Sequence, residues 1–169
     1  MKIVFCTLHV RRSTQAISLA AGCLASALPE PLSQTSTLVD AFPDQTDQEI
    51  LTIILQPKPD VVAFPVYVWN RLRLIEIAKK LHKQAPHIRL LAGGPEATGD
   101  ANGLLAAAPW TALVHGEGEA AFSGLINALA ENLPAQPLPG VSWVSQENIF
   151  SGPEYCPHDL DKAPSPWLT

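Results

Sequence analysis

The chain is poor in cysteine, in charge and in long apolar runs, and each shortage excludes something. Three cysteines occur in 169 residues, Cys6, Cys23 and Cys156. Their odd number and wide separation exclude a disulfide framework and offer no zinc-site or redox spacing. They point to a reducing compartment, so a cytoplasmic location is expected. Charged residues make up only 16% of the chain and leave a net charge of −5. The basic field of a nucleic-acid binder is missing, so no nucleic-acid partner is expected. No apolar run approaches the ~20 residues that span a bilayer, so no membrane partner is expected either. The first predicted strand begins at Lys2, which leaves no room for a signal peptide.

Several chemical signatures are also missing. No G-x-G-x-x-G follows the first strand, as a dinucleotide-binding domain would require. Thr7-Leu8-His9 and Phe64-Pro65 lack the carboxylates of a phospho-receiver, and Arg11-Arg12-Ser13-Thr14 is a poor flavin phosphate loop. No nucleophile, base and acid fall together, so no catalytic residue is assigned.

What the chain does have is apolar material, 47% of its residues. A domain of this length buries about two-thirds of its unfolded surface, which is enough to fold without disulfides or metal. Apolar runs and helical stripes alternate along it. The predicted strands are residues 2–7, 34–39, 60–64, 88–92 and 111–115, the second placed at a sheet edge because its alternation is weak. The predicted helices are 15–28, capped by Ser13 or Thr14; a second that opens on the capping box Thr46 to Glu49 and continues through the apolar run Ile50 to Leu55; 71–84, capped by Asn70; a short one capped by Asp100 and running through Ala107; and a last one led into by Gly116 to Glu119. Five βα units imply an α/β fold of flavodoxin-like type. Its five-stranded parallel sheet is expected in the order 2-1-3-4-5, with helices on both faces. A hairpin is expected from two further runs, 140–144 and 148–152, and after it a proline-rich linker. The expected division is a binding domain over 1–135 and a hairpin with linker over 136–169, cut from a longer protein.

In such a sheet the ligand crevice lies at the carboxyl ends of the strands, where strand order reverses. That rule selects four loops: Thr7-Leu8-His9 through Ser13, then Pro65-Val66-Tyr67-Val68-Trp69-Asn70, then Gly93-Gly94-Pro95-Glu96-Ala97-Thr98, and finally His115-Gly116-Glu117-Gly118. Four of the ten glycines sit in the last two, where they let the backbone approach a ligand closely. Exposed N–H groups beside small residues suit a large amide-rich or phosphate-bearing ligand. Tyr67 and Trp69 offer either an apolar wall for a flat ligand or packing onto the neighbouring helix. Glu117 and Glu119 are explained by the first turn of a helix, whose dipole favours carboxylates. His115 is placed to bond a phosphate or to cap its turn.

These loops carry a resemblance. DVVAFPVYVWN at Asp60 to Asn70, LLAGGPEAT at Leu90 to Thr98 and VHGEGEAAF at Val114 to Phe122 resemble the cobalamin-binding domains that precede radical-SAM barrels. The hairpin and DLDKAPSPW at Asp159 to Trp167 resemble that family's exit into the barrel. The resemblance implies that cobalamin is the cofactor. The corrin would lie across the strand ends, on the four loops, and the nucleotide tail would drop into a groove beside the sheet. It further implies an absent barrel that holds a [4Fe-4S] cluster and S-adenosylmethionine through C-x-x-x-C-x-x-C, which does not occur in this chain.

One departure concerns the lower face of cobalt. Relatives that ligate it use D-x-H-x-x-G; here Thr7, His9 and Arg12 stand at those positions. Without a carboxylate at position 7 to orient the ring, His9 is read as a loop histidine near the corrin edge rather than a cobalt ligand, so no metal ligand is assigned. A second reading keeps the fold but drops the cofactor. The domain would then be a docking surface for the barrel, with Arg12, Tyr67 and Trp69 obstructing the crevice.

Overall fold

The computed structural model describes residues 1–146, 148–155 and 165–166. Three apolar runs become the sheet centre: β1 (Ile3–Leu8), β3 (Val61–Pro65) and β4 (Arg89–Gly93). β2 (Ser36–Ala41) lies outside β1 and is half exposed, as its weak alternation predicts. β5 (Ala112–Val114) completes the parallel part. The helices are α1 (Leu19–Ser26), α2 (Asp47–Leu55), α3 (Arg71–Gln84), α4 (Pro95–Gly99), α5 (Ala101–Ala107) and α6 (Gly118–Ala130).

The order 2-1-3-4-5 is present, but the sheet does not stop there. The hairpin strands β6 (Val141–Ser145) and β7 (Asn148–Ser151) join it, giving seven strands in the order β2-β1-β3-β4-β5-β6-β7. β6 runs antiparallel to β5, with Val114 opposite Val141 and Ala112 opposite Trp143. The physical reason is that a three-residue β5 would otherwise present an unpaired, apolar edge. Strands from both sides of residue 135 therefore share one sheet.

Local chemistry explains the element bounds. The Thr46 hydroxyl accepts from the Glu49 amide, and the Glu49 carboxylate accepts from the Thr46 amide, so α2 starts on a complete capping box. α1 starts later than its apolar stripe suggests. The Ser13 hydroxyl accepts from the Gln15 amide in a local turn, and the Ser18 hydroxyl donates to Asp40 rather than capping. α4 is an added turn, formed where the sequence predicts only loop.

Alternation along the strands sorts the core into two faces. Val4, Cys6, Val62, Phe64, Leu90 and Leu113 pack under α2, α3 and α5. Ile3, Phe5, Ala63, Leu91, Ala112 and Val114 face α1 and α6, with Trp143 on the same side.

Trp143 is buried, so Trp143→Ala is expected to cost about 3–5 kcal/mol in urea unfolding. Ile149→Ser, on the exposed side of β7, should cost less than about 0.5 kcal/mol. A small effect of Trp143→Ala would mean that the hairpin is an appendage rather than part of the sheet.

Candidate functional site

The two faces are not packed alike. Under α1 and α6, at the carboxyl ends of the central strands, the side chains leave a cavity of about 410 Å³. That size lies within the ordinary range for small-molecule and cofactor sites.

The cavity follows from residue size. Phe5, Ala63 and Leu91 are lateral partners across β1, β3 and β4. An alanine between two large side chains makes a dent in that row. One step along the same face, β3 and β4 end in Pro65 opposite Gly93, which again add little bulk. One wall is α1, whose inward residues Ala20, Cys23 and Leu24 are mostly short. The facing wall is the start of α6, with Gly118, Glu119 and Phe122. The rings of Phe5 and Phe122 meet at 5.2 Å between centroids and join the floor to this wall.

Of the loop residues singled out by sequence, Pro65, Tyr67, Gly93, Gly94, Gly116, Glu117 and Gly118 line this space. Tyr67 stacks on Trp69 at 4.5 Å and 6°, a flat double ring beside the mouth. Trp69 and Val68 are 57% and 76% exposed. The rest are placed elsewhere. Leu8, Val66 and Ala97 are buried on the α3 face of the sheet. Pro95 and Glu96 belong to α4, and Ser13 sits in the loop before α1. Thr7 is buried at the end of β1, on the Phe5 side, and its hydroxyl has no partner among the described residues.

Three of these residues hold the rim in shape. Asn70, 1% exposed, does not cap α3 with its side chain. Its amide closes the preceding loop instead, accepting from the Tyr67 amide at 2.8 Å and donating to the carbonyls of Pro65 at 3.1 Å and Leu8 at 3.4 Å. Gly94 has φ +92°, and a Cβ there would lie 3.1 Å from the Val66 carbonyl oxygen, so only glycine fits. His115 donates from Nδ1 to the Ala97 carbonyl at 2.9 Å, and its Nε2 lies 2.8 Å from the Ser142 hydroxyl. Both ring nitrogens are thus used to tie α4 to β6. Arg71 adds a clamp, bonding Glu96 at 2.7 Å and Asp100 at 2.6 Å, which fixes α4 against the start of α3.

His9 points toward β2. Its Nε2 lies 2.7 Å from Asp40 Oδ1, and its ring stacks on Phe42. The carboxylate that position 7 lacks is thus supplied by Asp40. Arg12 sits over Phe42 and pairs with Asp44, outside the cavity lining. Among the described residues no three His, Cys, Asp or Glu side chains converge on a metal-sized site, and no helix is long and apolar enough to cross a membrane.

Sequence reasoning missed the α1 wall and the floor. Ala20 and Leu24 read as an ordinary core stripe, and Ala63 and Leu91 as ordinary strand interior. The available signal was the small residues Ala20, Ala21 and Cys23, too short to fill the space over Phe5 and Leu91. Burial, and then the nearby Glu119 charge, push the Cys23 thiol above its ordinary pKa, so it faces the cavity protonated.

The rim makes two expectations. Gly94→Ala should destabilise by about 1–3 kcal/mol through strain at positive φ, read by denaturant unfolding. The Asp100 carboxyl is held below its ordinary range by the Arg71 hydrogen bond and then by the Gly103 amide. A pKa lowered on folding gives stability that is complete above about pH 4 and lost as pH falls through the lowered value. Arg71→Met should therefore make the fall in thermal midpoint between pH 5 and pH 2 shallower. An unchanged acid limb would contradict the clamp.

Comparison with known proteins adds identity to this geometry. Residues 11–126 match the family model described as the B12 binding domain. The chain is 34% identical over 115 residues to the cobalamin-dependent radical SAM methyltransferase TokK of Streptomyces tokunonensis. It is 36% identical over 114 residues to the 2-(S-pantetheinyl)-carbapenam-3-carboxylate methyltransferase of Streptantibioticus cattleyicolor. These matches take in 66% and 65% of the chain but only 17% of each relative. In structure it resembles the cobalamin-dependent S-adenosylmethionine radical enzyme OxsB with aqua-cobalamin and S-adenosylmethionine bound. The TM-score is 0.72 at 18% identity, over 92% of this chain and 22% of that one. It also resembles the radical S-adenosylmethionine methyltransferase TsrM of Kitasatospora setae, with a TM-score of 0.72 at 15% identity, over 90% and 30% of the two chains. At such identities the structural likeness speaks for the fold alone.

Proposed function

The chain belongs to the B12-binding domain family, and on that premise we propose that it is the cobalamin-binding module of a radical-SAM enzyme that transfers a methyl or other group. The observation that carries the proposal is the cavity between α1 and α6, opening at the carboxyl rim beside Gly93, Gly94, Gly116 and Gly118. It is deep, apolar and walled by small residues, which suits the nucleotide tail of cobalamin. The rim above it suits the corrin. The Tyr67–Trp69 stack offers a flat apolar wall, and the glycine turns would let backbone groups hold the ring's amide side chains. Bound cobalamin supplies a cobalt centre able to carry a methyl group.

This chain's residues bind and orient the cofactor. No nucleophile, acid or base is assigned to them, and no C-x-x-x-C-x-x-C occurs for a [4Fe-4S] cluster. Those parts, with S-adenosylmethionine and substrate, fall to a radical-SAM barrel in the same polypeptide, the partner that this module would face. The chain spans about a sixth of its curated relatives, which leaves ample length for one. The docking-surface reading is not favoured: Arg12 sits outside the cavity lining, and Tyr67 and Trp69 stack on each other at the mouth and leave the space open.

The test is spectroscopic. After incubation with hydroxocobalamin and desalting, the chain should carry close to one cobalamin, seen in the visible spectrum. Ala63→Leu fills the dent between Phe5 and Leu91 and should lower retention about tenfold with unchanged circular dichroism. A colourless wild-type protein would sink the proposal.

A further inference from the structure

We infer that Asp40 is a positioning residue for the cofactor: it latches α1, the weaker wall of the cavity, and so sets how fast the ligand enters and leaves. This rests on the cobalamin reading above and adds to it a residue that lies outside the cavity lining.

The two walls are held very differently. α6 runs for 13 residues and buries six of them. The turn that leads into it is fixed by the Gly116 amide, which donates to the Thr98 hydroxyl at 3.0 Å, and by the His115 amide, which donates to the Gly140 carbonyl at 2.8 Å. α1 has eight residues, of which Ala21 alone is fully buried, and Ser18 makes no side-chain cap at its start. A helix that short is marginal on its own, and few buried contacts mark a segment that opens at low cost. The walls also touch, because a Cβ on Gly118 would lie 3.0 Å from Leu24 Cδ2. A ligand wider than the gap between them has to push one wall aside, and α1 is the one that yields.

What resists this movement is a carboxylate on the neighbouring strand. Asp40 is fixed in β2, where it pairs with Thr7 of β1. Its Oδ1 lies 2.7 Å from His9 Nε2 and accepts from the Ser18 hydroxyl at 2.5 Å. His9 is fixed on independent grounds: its amide donates to the Ala41 carbonyl at 2.9 Å, and its ring stacks on Phe42. Ser18 immediately precedes α1, so one carboxylate oxygen ties the start of that helix to the sheet. Between the two anchors Val10 and Ile17 are exposed, as is Leu19 at the helix start, so apolar burial adds little to the hold. The Arg12–Asp44 pair links the same segment to the chain beyond β2, but both partners are exposed and the pair contributes little. A latch closed in both the free and the loaded protein raises the barrier to passage and leaves the end states alone. It therefore slows entry and exit alike.

The test is kinetic. Association of hydroxocobalamin with the chain is followed by stopped-flow tryptophan fluorescence, and release is followed after dilution. Asp40→Ala should raise both rate constants about tenfold and leave Kd within about threefold of wild type. Ser18→Ala cuts the same tie from the helix side and should do the same, which keeps the test intact should Asp40→Ala fold poorly. Asp40→Asn keeps an acceptor oxygen and should return both rates to within about threefold of wild type. Asp44→Ala should leave them unchanged. Faster release with unchanged association overturns the inference, because Asp40 would then stabilise only the loaded state. Unchanged rates in both Asp40→Ala and Ser18→Ala, or an equal effect of Asp44→Ala, also overturn it and leave the cobalamin module intact. Failure of the wild-type chain to take up cobalamin removes the cobalamin reading itself.

Discussion

The site depends on an unequal packing of one sheet. Below the sheet, the long side chains of α2 and α3, Ile50, Ile54, Leu74, Ile77 and Leu81, fill the space against Val62, Phe64 and Leu90. Above it, α1 brings Ala20, Ala21 and Cys23 over a row in which Ala63 sits between Phe5 and Leu91. Protein interiors are normally close-packed, so two sets of small residues facing each other are costly unless something else fills the gap. The size difference between the two faces thus creates the room that a cofactor tail would take.

That room is useful only if its mouth keeps its shape, and the rim is cross-braced in three ways. The Asn70 amide locks the loop after β3 onto β1, Arg71 ties α3 to α4, and His115 joins α4 to the hairpin. The hairpin thereby supports the site as well as protecting the edge of β5. A pre-shaped mouth lowers the ordering cost of binding a large ligand. The braces also explain why several loop residues singled out by sequence do not face the cavity: Asn70, Ala97 and His115 shape the mouth without lining it.

Much of the fold is legible in the sequence, because local rules determine it. The capping box at Thr46 and Glu49, the 14-residue amphipathic α3 and the continuous apolar strands each place an element within a residue or two. The late start of α1 is not legible, because it depends on Ser18 bonding Asp40, 22 residues away. The addition of the hairpin to the sheet depends on the short β5 needing a partner, which is again a tertiary fact. The rim is legible through its glycines and aromatics. The floor is not, because Ala63 has meaning only beside Phe5 and Leu91, which lie on other strands. Likewise, nothing local indicates that Asp40 on β2 would engage His9.

α1 and the start of α6 should together enclose the part of the ligand that enters the protein. Hydrogen–deuterium exchange of the chain with and without cobalamin tests this most directly. Exchange in residues 19–24 and 116–122 should slow on binding, while the β2 edge stays unchanged. Protection confined to the outer loops, with α1 exchanging as in the free protein, would contradict it.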